Sequence, residues 1–155
     1  MMNIIDLLKK KKGAASIFDV AKYILLKEEN IDSLKLMKLC YYCQAWYLAW
    51  NNESLFEEDF RAWVSGPCCL ELYNFTKGKE LSEINFPGNA DKLSKDQKES
   101  IDAVYEYFLE YDKLRIMCFS QSERPYKEAR GNLKPWEPCD NIITKESMAS
   151  YYGSL

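Results

Sequence analysis

The stretch whose reading decides the fold is Leu39-Cys40-Tyr41-Tyr42-Cys43-Gln44-Ala45-Trp46-Tyr47-Leu48-Ala49-Trp50. Only Gln44 in it is strongly polar. As a helix it makes more than three turns, so no face is left for water. A helix that is apolar all round is surrounded by protein. The expectation is therefore a central helix, beginning near Asp32 or Ser33 with Asp32 as its cap. Asn51-Asn52 turns the chain after it, and the rest of one compact domain wraps around it.

On the N-terminal side, Ser16 with Asp19 three residues on reads as a capping box. Phe18, Ala21, Ile24 and Leu25 then repeat at helical spacing. Before it, residues 1 to 12 are expected to form a short helix ending at Gly13. On the C-terminal side, Phe60, Trp63 and Val64 suggest a short extended piece, and Gly66-Pro67 is a strong turn signal. A short helix is expected from Cys68 to Phe75. Ile84 and Phe86 are read as a small strand, so a minor β-hairpin is expected from 60–64 and 84–86. Ser94 and Gln97 mark a second capping box, opening a helix to about Asp112 with Ile101, Val104, Tyr105, Phe108 and Leu109 on one face. Leu114 to Phe119 is a further apolar stretch, Tyr126 to Arg130 a single helical turn, and Thr144 the cap of a last helix through Tyr152. The fold class is mainly α, in one domain over 1–155.

Composition narrows the function. The 155 residues carry a net charge of -3, which disfavours direct nucleic-acid binding, where phosphate contacts demand a basic surplus. Lys9 to Lys12 form a basic cluster, read as a solvated helix end. Histidine is absent altogether, which excludes Ser-His-Asp and Cys-His catalytic units and any His-bearing zinc site. Neither a G-x-x-x-x-G-K-[ST] loop nor a G-x-G-x-x-G motif occurs. The chain is accordingly expected not to be an enzyme, with no catalytic residues and no cofactor. Its aromatic content of 14% is high and has to be covered by a core or by a partner.

The six cysteines are Cys40, Cys43, Cys68, Cys69, Cys118 and Cys139. Cys40 and Cys43 share a helix face. With Cys68 or Cys69 and Cys118 they offer a four-thiolate zinc set. The competing reading is a group of small buried hydrophobes, which the apolar helix around the first pair favours, so no metal is expected. Met1 to Leu8 is apolar and the lysines follow it, the reverse order of a secretory signal. No apolar run approaches the roughly 20 residues that span a bilayer. A cytoplasmic protein with reduced thiols and no membrane partner is expected.

Three segments carry a family resemblance. The first runs from Phe18-Asp19-Val20-Ala21 into Ser33-Leu34-Lys35-Leu36-Met37-Lys38-Leu39-Cys40-Tyr41-Tyr42-Cys43-Gln44-Ala45-Trp46-Tyr47-Leu48-Ala49. The second is Leu55-Phe56, Phe60-Arg61-Ala62-Trp63-Val64-Ser65-Gly66-Pro67 and Glu71-Leu72-Tyr73. The third is Ser122-Glu123-Arg124-Pro125-Tyr126-Lys127-Glu128-Ala129-Arg130. Together, over roughly residues 16 to 152, they resemble the Panacea antitoxin domain, a family of phage-associated Gep-like and SocA-like proteins. The resemblance implies a helical fold that neutralises a toxin by direct binding, and some members hand the bound toxin to a protease. Two positions depart from it. Ser65 and Gln121 stand where relatives usually carry histidine, and Tyr126 stands where Trp is common.

The expected partner is thus a protein, either a toxin or a host defence protein. The binding candidates are Trp63, Ser65, Gly66, Pro67, Tyr73, Gln121, Arg124, Tyr126, Lys127 and Arg130. Aromatics and Arg are enriched at binding hot spots, although an Arg facing inward would serve the fold instead. The rival function is a phage-encoded inhibitor of a host defence nuclease complex, presenting acidic surface such as Glu57, Glu58 and Asp59. A proteolytic adaptor is a further alternative.

Overall fold

The computed structural model describes residues 15–155. The expected helix at residues 1 to 12 and the cluster Lys9 to Lys12 lie outside the described residues. Among the described residues the chain forms seven α-helices and one three-stranded antiparallel sheet.

Helix α1 spans Ile17–Lys27. Its capping box is complete: Ser16 Oγ accepts from the Asp19 N–H at 3.4 Å, and Asp19 Oδ2 accepts from the Ser16 N–H at 2.8 Å. The second oxygen of this buried Asp19 accepts the Asn89 N–H at 2.7 Å. That bond presses the 88–93 turn onto the start of α1. Gly88 sits in the contact with φ +110°, and a Cβ there would lie 2.3 Å from the Phe18 carbonyl oxygen.

Helix α2 spans Ser33–Asn51. Asp32 accepts from the Leu34 N–H at 2.8 Å and starts it. Asn52, in the left-handed region, stops it and returns its N–H to the Leu48 carbonyl. Every residue from Leu36 to Ala45 is buried, nearly three turns with no wet face. The wrapping thins at the end, where Trp46 is half-buried and Trp50 is 52% exposed. Gln44, the polar residue of the opening stretch, acts as a clamp. Its Nε2 donates to the Phe56 carbonyl at 2.6 Å and its Oε1 accepts from the Leu55 N–H at 2.8 Å. A loop that crosses the core thereby keeps its backbone groups satisfied.

Strands β1 (Phe60–Trp63) and β2 (Gly66–Cys68) form a hairpin, with Arg61 opposite Cys68 and Trp63 opposite Gly66. The other edge of β1 is taken by β3, Ile142–Ile143, giving the order β2-β1-β3. The strand expected at 84–86 is therefore corrected. Phe86 is held by its ring, which packs 5.4 Å from Phe75 and 6.2 Å from Phe18, and not by a ladder. Helix α3, Leu70–Thr76, starts two residues later than expected because Gly66–Cys68 is drawn into the sheet.

Two short 3-10 turns lead to α4, Lys95–Tyr107, opened by the Ser94–Gln97 capping box. It ends five residues before the expected Asp112. The Tyr111 N–H turns back to the Phe108 carbonyl, and Asp112 caps the next helix through the Arg115 N–H. Leu109, expected on the buried face, is 49% exposed as a result. Helices α5 (Lys113–Gln121), α6 (Arg124–Arg130) and α7 (Lys145–Gly153) follow.

Helix α2 packs against α1, α4, α5, α7 and β2. Its aromatic face meets the last helix in a buried polar knot. The Tyr42 hydroxyl donates to Glu123 Oε1 at 2.5 Å, and Tyr152 from α7 donates to the same oxygen at 2.9 Å. Tyr41 and Tyr152 join hydroxyls at 3.2 Å. Burial raises the Glu123 carboxyl above its ordinary range, against the lowering effect of the two hydrogen bonds. None of the described helices is long and apolar enough to cross a membrane.

Candidate partner-binding face

Beyond its own ladder, the hairpin tip is held by side chains of two neighbouring helices. Arg130 Nη1 donates to the Ala62 carbonyl at 2.9 Å, the Tyr126 hydroxyl to the Trp63 carbonyl at 2.7 Å, and Gln121 Nε2 to the Val64 carbonyl at 2.8 Å. Three donors from α5 and α6 thus read three consecutive carbonyls of the turn. On the opposite strand, Lys38 Nζ donates to the Pro67 carbonyl at 2.8 Å. Gly66 is buried with φ +98°, and an added Cβ would lie 3.2 Å from Lys38 Cε. A glycine is therefore what lets the turn close over that lysine.

These contacts sort the sequence candidates. Arg130 faces inward. Its Nη2 also bonds the carbonyls of Lys134 and Glu137, so its guanidinium staples the 131–140 loop to the hairpin. Tyr126 is buried, and burial raises its hydroxyl pKa while the neighbouring Arg130 lowers it. Gly66 and Pro67 are buried as well. Ser65, Tyr73, Arg124 and Lys127 are exposed, and Trp63 is half-buried. Trp63 is held by its indole N–H, which donates to Asp140 Oδ1 at 2.9 Å, and by the edge of the Tyr73 ring at 5.0 Å. Arg124 lies apart, paired with Glu128 at 3.3 Å and set 5.3 Å from the Tyr151 ring. Gln121 and Ser65 are neighbours, since Gln121 bonds the carbonyl just before Ser65. The two positions that depart from the histidine pattern therefore adjoin in space.

Beside the hairpin tip lies an open groove of about 800 Å³ lined by Trp63, Val64, Ser65, Met117, Pro138, Cys139 and Asp140. Val64 is 44% exposed, and Leu114, one turn before Met117 on α5, is 58% exposed. Trp136, two residues before Pro138, is 73% exposed. The groove lining itself is mostly apolar, the kind of exposed surface that favours interaction with a partner. Met117 and the 138–140 segment escape sequence reasoning, because nothing in their local pattern links them to the turn. The one available hint is the irregular Gly131, Pro135, Pro138 spacing of their loop.

The other candidate chemistries resolve differently. Cys40, Cys43, Cys68 and Cys69 are buried and Cys118 is exposed. Among the described residues no three His, Cys, Asp or Glu side chains converge on a metal position. Burial pushes the Cys68 thiol up to about 11 and the Cys69 thiol to about 12, and raises those of Cys40 and Cys43 as well. In the acidic run, Asp59 pairs with Lys145 at 2.9 Å and Glu58 accepts the Ile17 N–H at 3.1 Å. Two of its three carboxylates are thus engaged by the fold.

Residues 36–127 match the family model described as antitoxin SocA-like, Panacea domain. The chain belongs to that family. The match covers more than half of the chain and takes in α2 from Leu36 onward, the hairpin and the first turn of α6. The Panacea domain therefore contains both walls of the Tyr126–Trp63 contact, while Arg130, the 131–140 loop and α7 lie beyond the matched residues. No curated protein and no solved structure matches the chain.

Proposed function

We propose that this chain is an antitoxin that neutralises a protein toxin by direct, non-catalytic binding, within a phage or other mobile element. The toxin docks on the groove between the hairpin tip, α5 and the 138–140 segment. Family membership supports the antitoxin role. The observation that carries the docking face is the pinned tip itself. Three side-chain donors hold its carbonyls, so Val64 and Trp63 are presented on a rigid backbone beside apolar, water-facing surface. Rigid aromatic and aliphatic anchors give buried area at low entropic cost.

The test is co-expression with the product of a toxic neighbouring gene. Growth rescue together with co-purification is expected, and Val64→Glu or Met117→Glu should abolish both. Absence of rescue by the parent chain, or full rescue by folded groove variants, overturns the proposal.

A further inference from the structure

Helix α5 is covered on one side alone. Its buried residues are Ile116 and Ser120. At about 100° per residue, Cys118 stands opposite them, at the crest of the outer face. Cys118 is exposed, and so are Leu114 and Ser122, one turn to either side of it. Phe119 flanks the crest and is 36% exposed. From Phe119 the face continues through ring contacts, to Tyr111 at 6.0 Å and from Tyr111 to Tyr107 at 6.2 Å. Tyr107 is 65% exposed. The Arg115 guanidinium lies over the Tyr111 ring at 4.0 Å, and among the described residues no carboxylate pairs with it. Met117, which lines the groove, is turned about 100° away from the crest. The outer face is therefore a second surface beside the groove.

We propose that this face is the contact between two copies of the chain, α5 against α5, about a two-fold axis near Cys118. Such a contact needs a face that complements itself. The row Leu114, Cys118, Ser122 is large at one end and small at the other, so turning it about its middle sets Leu114 of one copy towards Ser122 of the other. The small crest lets the two helices approach closely. Axes 8–10 Å apart bring facing Cα atoms to about 4–6 Å, which puts the two Cys118 side chains in contact. The area agrees. A stable interface takes about 800 Å² from each partner, a little more than half of it apolar. At 150–250 Å² for a large side chain, the exposed fractions of Tyr107, Leu109, Leu114 and Phe119 supply roughly 400 Å², and Tyr111 and Cys118 add to it. The exposed charges there are of both signs, Glu110 and Arg115, so the face does not repel its own copy. The pairing stands independently of the toxin reading.

The experiment is analytical ultracentrifugation of the reduced full chain at about 100 μM, well above a dimer Kd of about 10 μM. The expected mass is twice the 18.2 kDa of one chain. Leu114→Glu and Cys118→Arg, both at exposed positions, should each weaken pairing at least about tenfold with the fold intact. A short bis-maleimide should link two copies through Cys118, also in a Cys139→Ser chain, and Cys118→Ser should lose the link. Val64→Glu, on the groove, should remain a dimer. A parent chain of single mass at that concentration, or a dimer that persists in folded Leu114→Glu, overturns the pairing. So does a dimer that Cys118 does not link, or loss of the dimer in Val64→Glu. Toxin co-expression reads the groove separately, so either reading can fail while the other stands.

Discussion

The hydroxyl of Tyr126 donates to the carbonyl of Trp63 at 2.7 Å, joining positions 63 residues apart. With Arg130 on Ala62 and Gln121 on Val64, it makes α5 and α6 a template on which the hairpin tip is set. Removing one donor at a time tests how much of the tip's order each supplies. Tyr126→Phe leaves the ring and loses the bond, so stability should fall by about 1 kcal/mol. Arg130→Lys should lose about 3 kcal/mol, because a point charge cannot replace a planar fork that reaches three carbonyls. Urea unfolding of the two variants gives both values. A Lys variant as stable as the parent would refute the staple.

Gly88 predicts a larger effect from a smaller change. A methyl there meets the Phe18 carbonyl at 2.3 Å and sits on a backbone with φ +110°. Gly88→Ala should destabilise by at least about 2 kcal/mol, since neither backbone can move while Asp19 ties Asn89 to α1. A thermal melt within a degree of the parent's would contradict the close approach.

The knot at Glu123 predicts a pH dependence. Burial raises this carboxyl above its ordinary 4.5, so the folded state holds the proton to higher pH than the unfolded chain does. Between those two values the folded state binds more protons, and its stability falls as pH climbs from 4.5 upward. Glu123→Gln should flatten that slope, because an amide keeps an acceptor for Tyr42 and Tyr152 without titrating. Unfolding measured across this range in both chains checks the sign. A parent stability that rises through it, with the Gln chain flat, would reverse the assignment.

The groove predicts a separation of binding from folding. Val64 is 44% exposed, so Val64→Glu should change stability by no more than about 0.5 kcal/mol. The same change places a charge in apolar contact surface and should weaken partner binding at least about tenfold, read by co-purification or calorimetry. Unchanged affinity would move the docking face elsewhere.

Local chemistry was the legible part of the sequence. Both capping boxes, Ser16 with Asp19 and Ser94 with Gln97, form as their spacing says, because each is closed within four residues. The burial of Leu36 to Ala45 follows from the lack of any polar face. What escaped depends on distant partners. Ile84 and Phe86 look like a strand, but alternation is equally met by a ring that packs on Phe75. Ile142–Ile143 is too short to announce itself, and pairs only because β1 has a free edge. At the candidate site, the second and third family-type segments meet through the bonds of Tyr126 and Arg130 to the hairpin. The direction of each side chain was not legible: Arg130 and Tyr126 read as contact residues and point inward, while Met117 and Pro138 read as nothing and line the groove. Lys38 is hidden for the same reason, since a lysine on a helix gives no sign that Gly66 will close over it.

The tyrosine from α7 has a practical corollary. The family match stops at residue 127, but Tyr152 hydrogen-bonds Glu123 and its ring stands 5.4 Å from Trp46. A fragment cut at the edge of similarity would keep every matched residue and lose one wall of its own interior. The boundary drawn by sequence kinship is therefore narrower than the unit that folds, and shortened versions for expression or fusion should retain the chain through Gly153.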